Sequence, residues 1–296
     1  MYAITGASGK IGKNVALELL TRGKKVRVIG RGEEKLKPLT EKGAEAMIGD
    51  LADGSFLNRA YSGAKAVYVL IPPNSHSSDF KAYQQKIAHN HLEAVKANGV
   101  KYVILLSSIG AHLRNGAGVV DGLGYLEEIF SQLKEVNVLN LRPTYFMENI
   151  FGQLGTIRQM GITGSPVKAD LRFPMVATRD IAAVAAKRLL DLSFTGNTVE
   201  YVLGPADVSY NEVTSVIGKA IGKPDLKYVQ FSYEDSKKGM VQSGFASENV
   251  AELYNGLAEG LNNGSVLKDH TRTPDNTTPT SIENFAQVFA QVFNNS

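Results

Sequence analysis

The chain has 296 residues, of which 43% are apolar and 21% charged, enough for one large α/β domain or for one domain and a smaller lobe. A net charge of +3 without a Lys/Arg-rich run does not favour nucleic acid, and the lack of cysteine excludes disulfides, thiolate catalysis and Cys-type zinc sites. With no apolar run of membrane-spanning length and no secretory signal, we expect a cytoplasmic protein without membrane contact.

A glycine-rich turn follows the first apolar run, Met1 to Ile4, and precedes a helical pattern. The turn, Thr5 to Gly12, has the spacing Gly-x-x-Gly-x-x-Gly. Glycines let the backbone approach a pyrophosphate, and the helix start presents N–H groups and a positive dipole end to the anion. A tight surface turn would have the same spacing, but the strands and helices that follow favour a nucleotide cradle. The expected cofactor contacts are Gly6, Ser8, Gly9, Lys10, Ile11 and Gly12.

The second predicted strand, Lys25 to Ile29, is followed by Gly30-Arg31-Gly32. An Asp or Glu just past this strand would accept hydrogen bonds from the ribose hydroxyls of NAD. Arg31 stands there instead, and a guanidinium suits a 2′-phosphate. We therefore expect NADP(H) to be preferred over NAD(H). Two alternatives stay open: Arg31 caps a surface turn, or it stacks on adenine.

The next two predicted strands also end in residues that suit a nucleotide. The strand from Ala44 to Ile48 precedes Asp50, which either accepts from the adenine amino group or caps the following helix. The strand from Ala64 to Ile71 is apolar nearly throughout, as a strand buried on both faces should be, and it stops at Pro72-Pro73. The cofactor contacts expected here are Asp50, Leu51, Leu70, Ile71 and Pro72.

A helix over Ser78 to Asn98 and a strand over Val100 to Ser107 follow. Ser107 or Ser108, at the end of that strand, could bond the nicotinamide amide or a substrate oxygen; the alternative is a serine that satisfies local backbone groups. His89 and His91 point to different faces of the helix, so they cannot pair on a metal, and we expect no metal site.

Two later segments have the composition of irregular structure. Glycines at 116, 118, 122 and 124 predict a mobile loop that orders over a ligand. A Thr/Pro/Asn stretch from Thr271 to Ser281 predicts a linker before a last amphipathic helix, which should dock on the body of the protein.

Six segments in this order resemble the NmrA-like family of atypical short-chain dehydrogenases/reductases, including bacterial NAD(P)H quinone- and azo-reductase-like members. They are Thr5 to Gly12, Gly49-Asp50-Leu51, Asn98 to Lys101 with Leu106 to Ser108, Leu141 to Thr144 with Glu148-Asn149, Val176 to Ala182, and Arg272 to Ser281. The resemblance implies an α/β fold: a Rossmann-type doubly wound parallel sheet with a smaller C-terminal α+β substrate lobe. It implies an NAD(P)-binding domain over 1–150 and a smaller substrate or partner lobe over 151–296, and we expect part of the latter stretch to return to the Rossmann sheet.

Reduction of a carbonyl by hydride transfer needs a proton donor, and the dehydrogenase superfamily usually supplies a Tyr with a Lys four residues later. Tyr125 lies on the expected helix, Tyr125 to Lys134, but Ile129 stands at the lysine position. Glu127 and Glu128 would raise the pKa of the phenol. Tyr125 is thus the candidate catalytic residue as a hydrogen-bond partner of substrate, but a poor base. The alternative is a helix-start tyrosine packed on the glycine-rich loop.

Reduction of a quinone or azo compound needs no proton donor from the protein, because the product anion takes its proton from water. A bound nicotinamide and an apolar slot suffice. Pro72, Tyr145, Phe146 and Met147 would line that slot unless they belong to the core. We expect an NADP(H)-binding oxidoreductase that reduces a quinone-like or other conjugated small-molecule acceptor. The second hypothesis, favoured by the missing lysine, is a non-catalytic NADP(H) redox sensor whose 110–124 loop changes a protein partner interaction. A sugar-nucleotide epimerase is a distant third.

Overall fold

The structure is a computed structural model that describes residues 1–295. Its strands in chain order are β1 (Tyr2–Thr5), β2 (Val26–Gly30), β3 (Glu45–Ile48), β4 (Ala66–Val69), β5 (Tyr102–Leu106), β6 (Asn137–Pro143), β7 (Tyr145–Phe146), β8 (Ile162–Ser165), β9 (Phe173–Val176), β10 (Asn197–Val202), β11 (Asp207–Val208) and β12 (Lys227–Gln230).

The helices are α1 (Lys10–Thr21), α2 (Glu33–Thr40), α3 (Gly54–Tyr61), α4 (Phe80–Ala97), α5 (Asp121–Phe130), α6 (Leu154–Met160), α7 (Thr178–Asp191), α8 (Tyr210–Ala220), α9 (Tyr233–Gln242), α10 (Glu248–Asn262) and α11 (Ile282–Asn295). Short 3-10 helices span Ala111–Leu113, Gly118–Val120, Met147–Gln153, Ser265–Leu267 and Pro274–Asn276. None of the helices within residues 1–295 is long and apolar enough to cross a membrane.

Seven strands form one parallel sheet in the order β10-β6-β5-β4-β1-β2-β3. The chain moves outward from β1 to β3 and then returns through α3 to β4, on the other side of β1. The order therefore reverses between β1 and β4, and a crevice opens at their carboxyl ends, where such sheets bind nucleotides. The expected α/β fold with a doubly wound parallel sheet is confirmed.

Each face of the sheet is covered by helices, as buried parallel strands require. Side chains of α1, α2 and α7 share one apolar cluster with the strands, and side chains of α3, α4 and α5 share the other. Strand β10 pairs with β6 from Asn197 opposite Val138 to Val202 opposite Pro143. Chain beyond residue 150 thus supplies both an edge strand and a covering helix of this sheet.

The remaining elements surround a third apolar cluster beyond the carboxyl ends of the strands. It contains the small sheet β11-β9-β7, the pair β12-β8 and helices from the C-terminal half. Helix α11 docks there through Ile282, Phe285 and Phe289, which are almost fully buried. The sequence predicted this docking from the apolar stripe of the helix.

The segment from Thr271 to Ser281 is a strap on the sheet rather than a linker. Leu203, just after β10, donates its N–H to Asn276 O at 2.8 Å and accepts from Thr278 N at 2.8 Å. Thr280 donates its hydroxyl to the Asp180 carboxylate at 2.8 Å. The linker prediction was wrong because the groups that hold this polar segment lie far away in sequence.

Three of the glycines between residues 110 and 124, at 118, 122 and 124, allow close packing, whereas Gly116 has no atom within 4 Å of its Cβ position. A Cβ on Gly118 would overlap the carbonyl oxygen of Leu253 on α10, and one on Gly124 would lie 2.5 Å from the Ala111 oxygen. The Gln84 side chain on α4 donates to Val119 O at 3.0 Å. The sequence did not reveal these packing partners at the end of the segment, and the mobility of the loop stays a prediction.

Candidate functional site

The glycine turn between β1 and α1 forms one wall of the crevice. Gly6 has φ +63°, a conformation that favours glycine, and Gly9 N donates to Gly6 O at 2.9 Å. A Cβ on Gly12 would lie 2.5 Å from Gly6 O, so the helix can approach the turn only with glycine there. None of the side chains within residues 1–295 caps α1. The first N–H groups of the helix therefore suit an anion at this turn.

The other residues predicted in the turn divide into exposed and buried side chains. Ser8 and Lys10 are exposed, whereas Ile11 is 8% exposed and packs in the core. Ile11 can therefore contribute only its backbone to a cofactor. The Lys10 ammonium lies 4.3 Å from the ring centroid of Phe151, in the 3-10 helix that begins the C-terminal half.

A pocket of about 440 Å³ adjoins the turn at the end of β2. Its lining residues are Ser8, Arg31, Gly32, Glu33, Glu34 and Lys35. Arg31 and Lys35 bring two cations to it, and Glu33 and Glu34, in the first turn of α2, bring two carboxylates. The carboxylates reduce the positive potential, so a phosphate here depends on direct contact with the guanidinium and the ammonium.

Asp50 lies at the end of β3 on the same edge of the sheet. Its carboxylate accepts from Ala52 N at 2.9 Å, and the cap of α3 is Asp53, which accepts from Ser55 N at 2.9 Å and Phe56 N at 3.1 Å. The alternative of Asp50 as the helix cap was therefore wrong. Leu51 has a buried side chain, and its carbonyl accepts from Asn90 on α4 at 2.9 Å.

The charges of both Arg31 and Asp50 act on the phenol of Tyr83 on α4. Burial first and the Asp50 carboxylate second raise the pKa of the Tyr83 phenol, while Arg31 opposes them. The ring also stacks on Phe80, with centroids 6.0 Å apart. Tyr83 thus provides an aromatic surface beside the residues expected to meet the adenosine.

Leu70 connects the end of β4 to the glycine turn. Its N–H donates to the Thr5 hydroxyl at 3.1 Å, and that hydroxyl donates to Tyr68 O at 2.8 Å. A Cβ on Gly6 would collide with the Leu70 side chain, so the two residues are in close contact. Ile71 and Pro72, which follow, are half-buried at the crevice edge.

The two serines after β5 have different environments. Ser107 is 2% exposed, and its hydroxyl donates to the Glu127 carboxylate on α5 in a short hydrogen bond. Glu127 is itself paired with Arg142 on β6. Ser108 is half-buried, and its carbonyl accepts from Ala111 N at 3.2 Å. The Ser107 hydroxyl is therefore committed to the protein, which leaves Ser108 for a ligand.

Tyr125 lies in the middle of α5, because the helix starts at Asp121 rather than at Tyr125. Asp121 fixes that start by accepting from Ala117 N at 2.8 Å. The Tyr125 hydroxyl lies 2.6 Å from His89 Nε2 on α4. Tyr125 is therefore not at the start of the helix, as the alternative supposed, and its catalytic role stays a prediction.

Three of the residues predicted to line the acceptor slot face different neighbours. The Tyr145 hydroxyl accepts from Tyr210 at 3.0 Å, and burial raises the pKa of Tyr145. Phe146 packs against the sheet core, and Met147 is 2% exposed in the core of the C-terminal half. The structure places all three where the sheet meets that half, with Met147 as a core residue.

Sequence reasoning missed Lys35, Tyr83 and the Glu127–Arg142 pair. Lys35 carried a detectable signal, because it stands four residues after Arg31 at the start of a helix. Tyr83 carried only helical periodicity. Glu127 and Arg142 carried none, since a buried ion pair needs two elements whose approach the sequence does not show.

The sheet order and the glycine turn define a Rossmann-type dinucleotide-binding fold. The sequence model of the NmrA-like family matches residues 2–286, and the chain belongs to that family. It is 27% identical over 259 residues to an NAD(P)H azoreductase of Xenophilus azovorans, covering 87% of this chain and 86% of the relative.

Two solved structures share the fold over nearly the whole chain. The NADPH-dependent quinone oxidoreductase QOR2 of Escherichia coli, complexed with NADPH, superposes with a TM-score of 0.80 at 21% identity and covers 98% of this chain and 99% of its own. The triphenylmethane reductase of Citrobacter sp., complexed with NADP(H), gives 0.78 at 20% identity and covers 98% and 100%. At these identities the likeness shows the fold alone.

Proposed function

We propose that this protein is an NADPH-dependent reductase that acts on a quinone-like, azo or other conjugated small-molecule acceptor. The observation that carries the proposal is the uncapped glycine turn beside a pocket with Arg31 and Lys35. The azoreductase relative, named for NAD(P)H, supports it. Residues 1–150 would hold the cofactor, and residues 151–296 would complete the acceptor slot.

The residues present fit a dinucleotide with a 2′-phosphate. A Cβ on Gly6 would collide with Leu70 and one on Gly12 with the Gly6 oxygen, so the tight turn whose backbone would meet a pyrophosphate depends on both glycines. Arg31 and Lys35 would contact the 2′-phosphate, and Asp50 and Tyr83 would face the adenine. The bound nicotinamide supplies the hydride, and the protein contributes binding, orientation and exclusion of water.

The hydrogen bonds of the Ser107 and Tyr125 hydroxyls support the proposed class of acceptor. The Ser107 hydroxyl binds Glu127, and the Tyr125 hydroxyl binds His89. Neither is placed to give a proton to a reduced substrate. A conjugated acceptor delocalises the charge of its anion and takes its proton from water, so it needs no such donor. Reduction of an isolated ketone and epimerisation both need one.

The same commitment of Ser107 and Tyr125 also favours a second candidate, a non-catalytic NADP(H) sensor. Such a protein needs a cofactor site but no proton donor. Its output would have to come from a surface other than the 110–124 segment alone, because that segment packs on α4 and α10.

The test is steady-state NADPH oxidation with a panel of a benzoquinone, a naphthoquinone, an azo dye and a simple ketone. We expect turnover with the conjugated acceptors and none with the ketone. NADPH binding without oxidation by any acceptor would contradict the reductase proposal and support the sensor. Turnover of the ketone alone would contradict the assignment of the acceptor class.

A further inference from the structure

Tyr61 on α3 and His91 on α4 form a buried polar pair beneath the cofactor edge. Both side chains are 0% exposed. The Tyr61 hydroxyl lies 2.7 Å from His91 Nδ1, and His91 Nε2 lies 3.2 Å from the carbonyl oxygen of Leu70. The two rings stack with centroids 5.9 Å apart. The proposed reduction uses neither residue directly.

The partners of the imidazole determine its tautomer. A backbone carbonyl can only accept, so Nε2 of His91 carries the proton and donates to Leu70. The lone pair of Nδ1 then accepts from the Tyr61 hydroxyl. Burial lowers the pKa of His91 to about 4, so the ring is neutral near pH 7. Tyr61 therefore stabilises the one tautomer that can hold Leu70.

Leu70 is held from three sides. His91 binds its carbonyl, the Thr5 hydroxyl accepts from its N–H at 3.1 Å, and its side chain contacts Gly6. Thr5 ends β1 and Gly6 starts the glycine turn. A shift of Leu70 would therefore also displace the glycine turn that borders the crevice. Leu70, the residue just after β4, is thus held in contact with Gly6, the first glycine of the turn.

Asn90, the residue before His91, makes a similar hydrogen bond beyond the end of β3. Asn90 donates to the carbonyl of Leu51 at 2.9 Å, just after β3. Two consecutive residues of α4 therefore each hold the chain at one strand end of the crevice. A core that needed only to be filled would use apolar side chains, since burial of an imidazole and a phenol is unfavourable without these bonds.

We propose that Tyr61 and His91 are positioning residues for the dinucleotide: they fix the Leu70 backbone, and through it the glycine turn and the Ile71-Pro72 edge. The proposal rests on the proposed cofactor site. It predicts that the hydrogen bond to Leu70, rather than the volume of the ring, sets the affinity for NADPH.

The test compares His91→Phe, which keeps an aromatic ring but leaves the Leu70 carbonyl without its donor, with His91→Gln, which keeps a donor. Tyr61→Phe removes only the group that selects the tautomer. The matched control is Val95→Ala, one turn further along α4, where a 0% exposed side chain loses packing but no hydrogen bond. NADPH affinity is measured by fluorescence titration, and deuterium exchange is measured at the amides of residues 69–71, which precede Pro72 and Pro73.

We expect His91→Phe to weaken NADPH binding about tenfold and Tyr61→Phe about threefold, as the loss of one buried hydrogen bond or part of it implies. His91→Gln should restore most of the affinity, and Val95→Ala should keep it despite a lower Tm. Equal affinity in His91→Phe and wild type, or an equal loss in Val95→Ala, would overturn the proposal.

Deuterium exchange separates this proposal from the proposed function. If wild type binds no NADPH, the proposed function fails. Faster exchange at residues 69–71 in His91→Phe, but not in Val95→Ala, would then still support the hydrogen bond that holds Leu70. Unchanged exchange in His91→Phe would overturn that hold whether or not the cofactor binds.

Discussion

The guanidinium of Arg142 and the carboxylate of Glu127 form a buried ion pair behind the Ser107 hydroxyl. Nε lies 2.9 Å from Oε1, and Nη2 lies 2.5 Å from Oε2. Burial alone would lower the pKa of Arg142, but the hydrogen bond and charge of Glu127 outweigh it and raise the pKa. Arg142 also donates to Asp269 at 2.8 Å, which links β6 to the chain after α10.

Glu127→Gln should therefore destabilise the protein strongly. Removal of one partner leaves the buried Arg142 charge only partly compensated, and we expect a loss of about 3 kcal/mol in the free energy of unfolding. Urea unfolding measures it. The control is Glu128→Gln on the same helix, whose carboxylate pairs with exposed Arg114 at 3.3 Å. That variant should lose less than about 1 kcal/mol, and equal losses would show that burial of the pair is irrelevant.

Gly118→Ala tests the packing of the 110–124 segment on α10. Gly118 has φ +60°, and its Cβ would overlap the Leu253 carbonyl oxygen, so we expect a loss of about 3 kcal/mol. The control is Gly116→Ala, where φ is +95° but no atom lies within 4 Å of the Cβ. It should cost about 1 kcal/mol, again by urea unfolding. Similar, small losses in both variants would support the mobile loop instead.

The buried His91 predicts a pH dependence of stability. Its pKa is lowered to about 4 from an ordinary value of 6.5, so the unfolded chain binds the proton more readily. The stabilisation is complete above about pH 6.5 and is lost as the pH falls toward 4, by up to about 3 kcal/mol. Urea unfolding at pH 7, 5.5 and 4.5 measures the slope. His91→Phe should reduce it, and an unchanged slope would mean that other groups cause it.

Tyr125→Phe tests the one residue predicted to act in catalysis. Because its hydroxyl lies 2.6 Å from His89, we expect kcat/KM with a quinone to stay within about twofold of wild type. Steady-state kinetics with the best acceptor of the panel decides the outcome. A fall of about a hundredfold would restore Tyr125 as a proton donor and require the side chain to leave His89 during turnover.

The sequence predicted those features that depend on nearby residues. The strand, glycine turn and helix at the N-terminus and the docking of α11 follow from periodicity and spacing, and the resemblance to the NmrA-like family implied the parallel sheet. Features that join distant segments were missed or misjudged. The Gly118 contact with Leu253 and the bond from Thr280 to Asp180 each span at least 100 residues, so composition gave no sign of either contact. The roles of Arg31 and Ser108 toward a cofactor stay predictions.

Titration of the protein with NADPH and NADH, in wild type and in Arg31→Ala, Lys35→Ala and the double variant, tests the cofactor site most directly. We predict that wild type binds NADPH more tightly than NADH, that each single variant loses about tenfold for NADPH and the double variant more, with little change for NADH, and that the loss falls as salt rises. Tryptic resistance of each variant serves as the folding control. Equal affinity of wild type for the two cofactors, or no binding of either, would contradict the assignment.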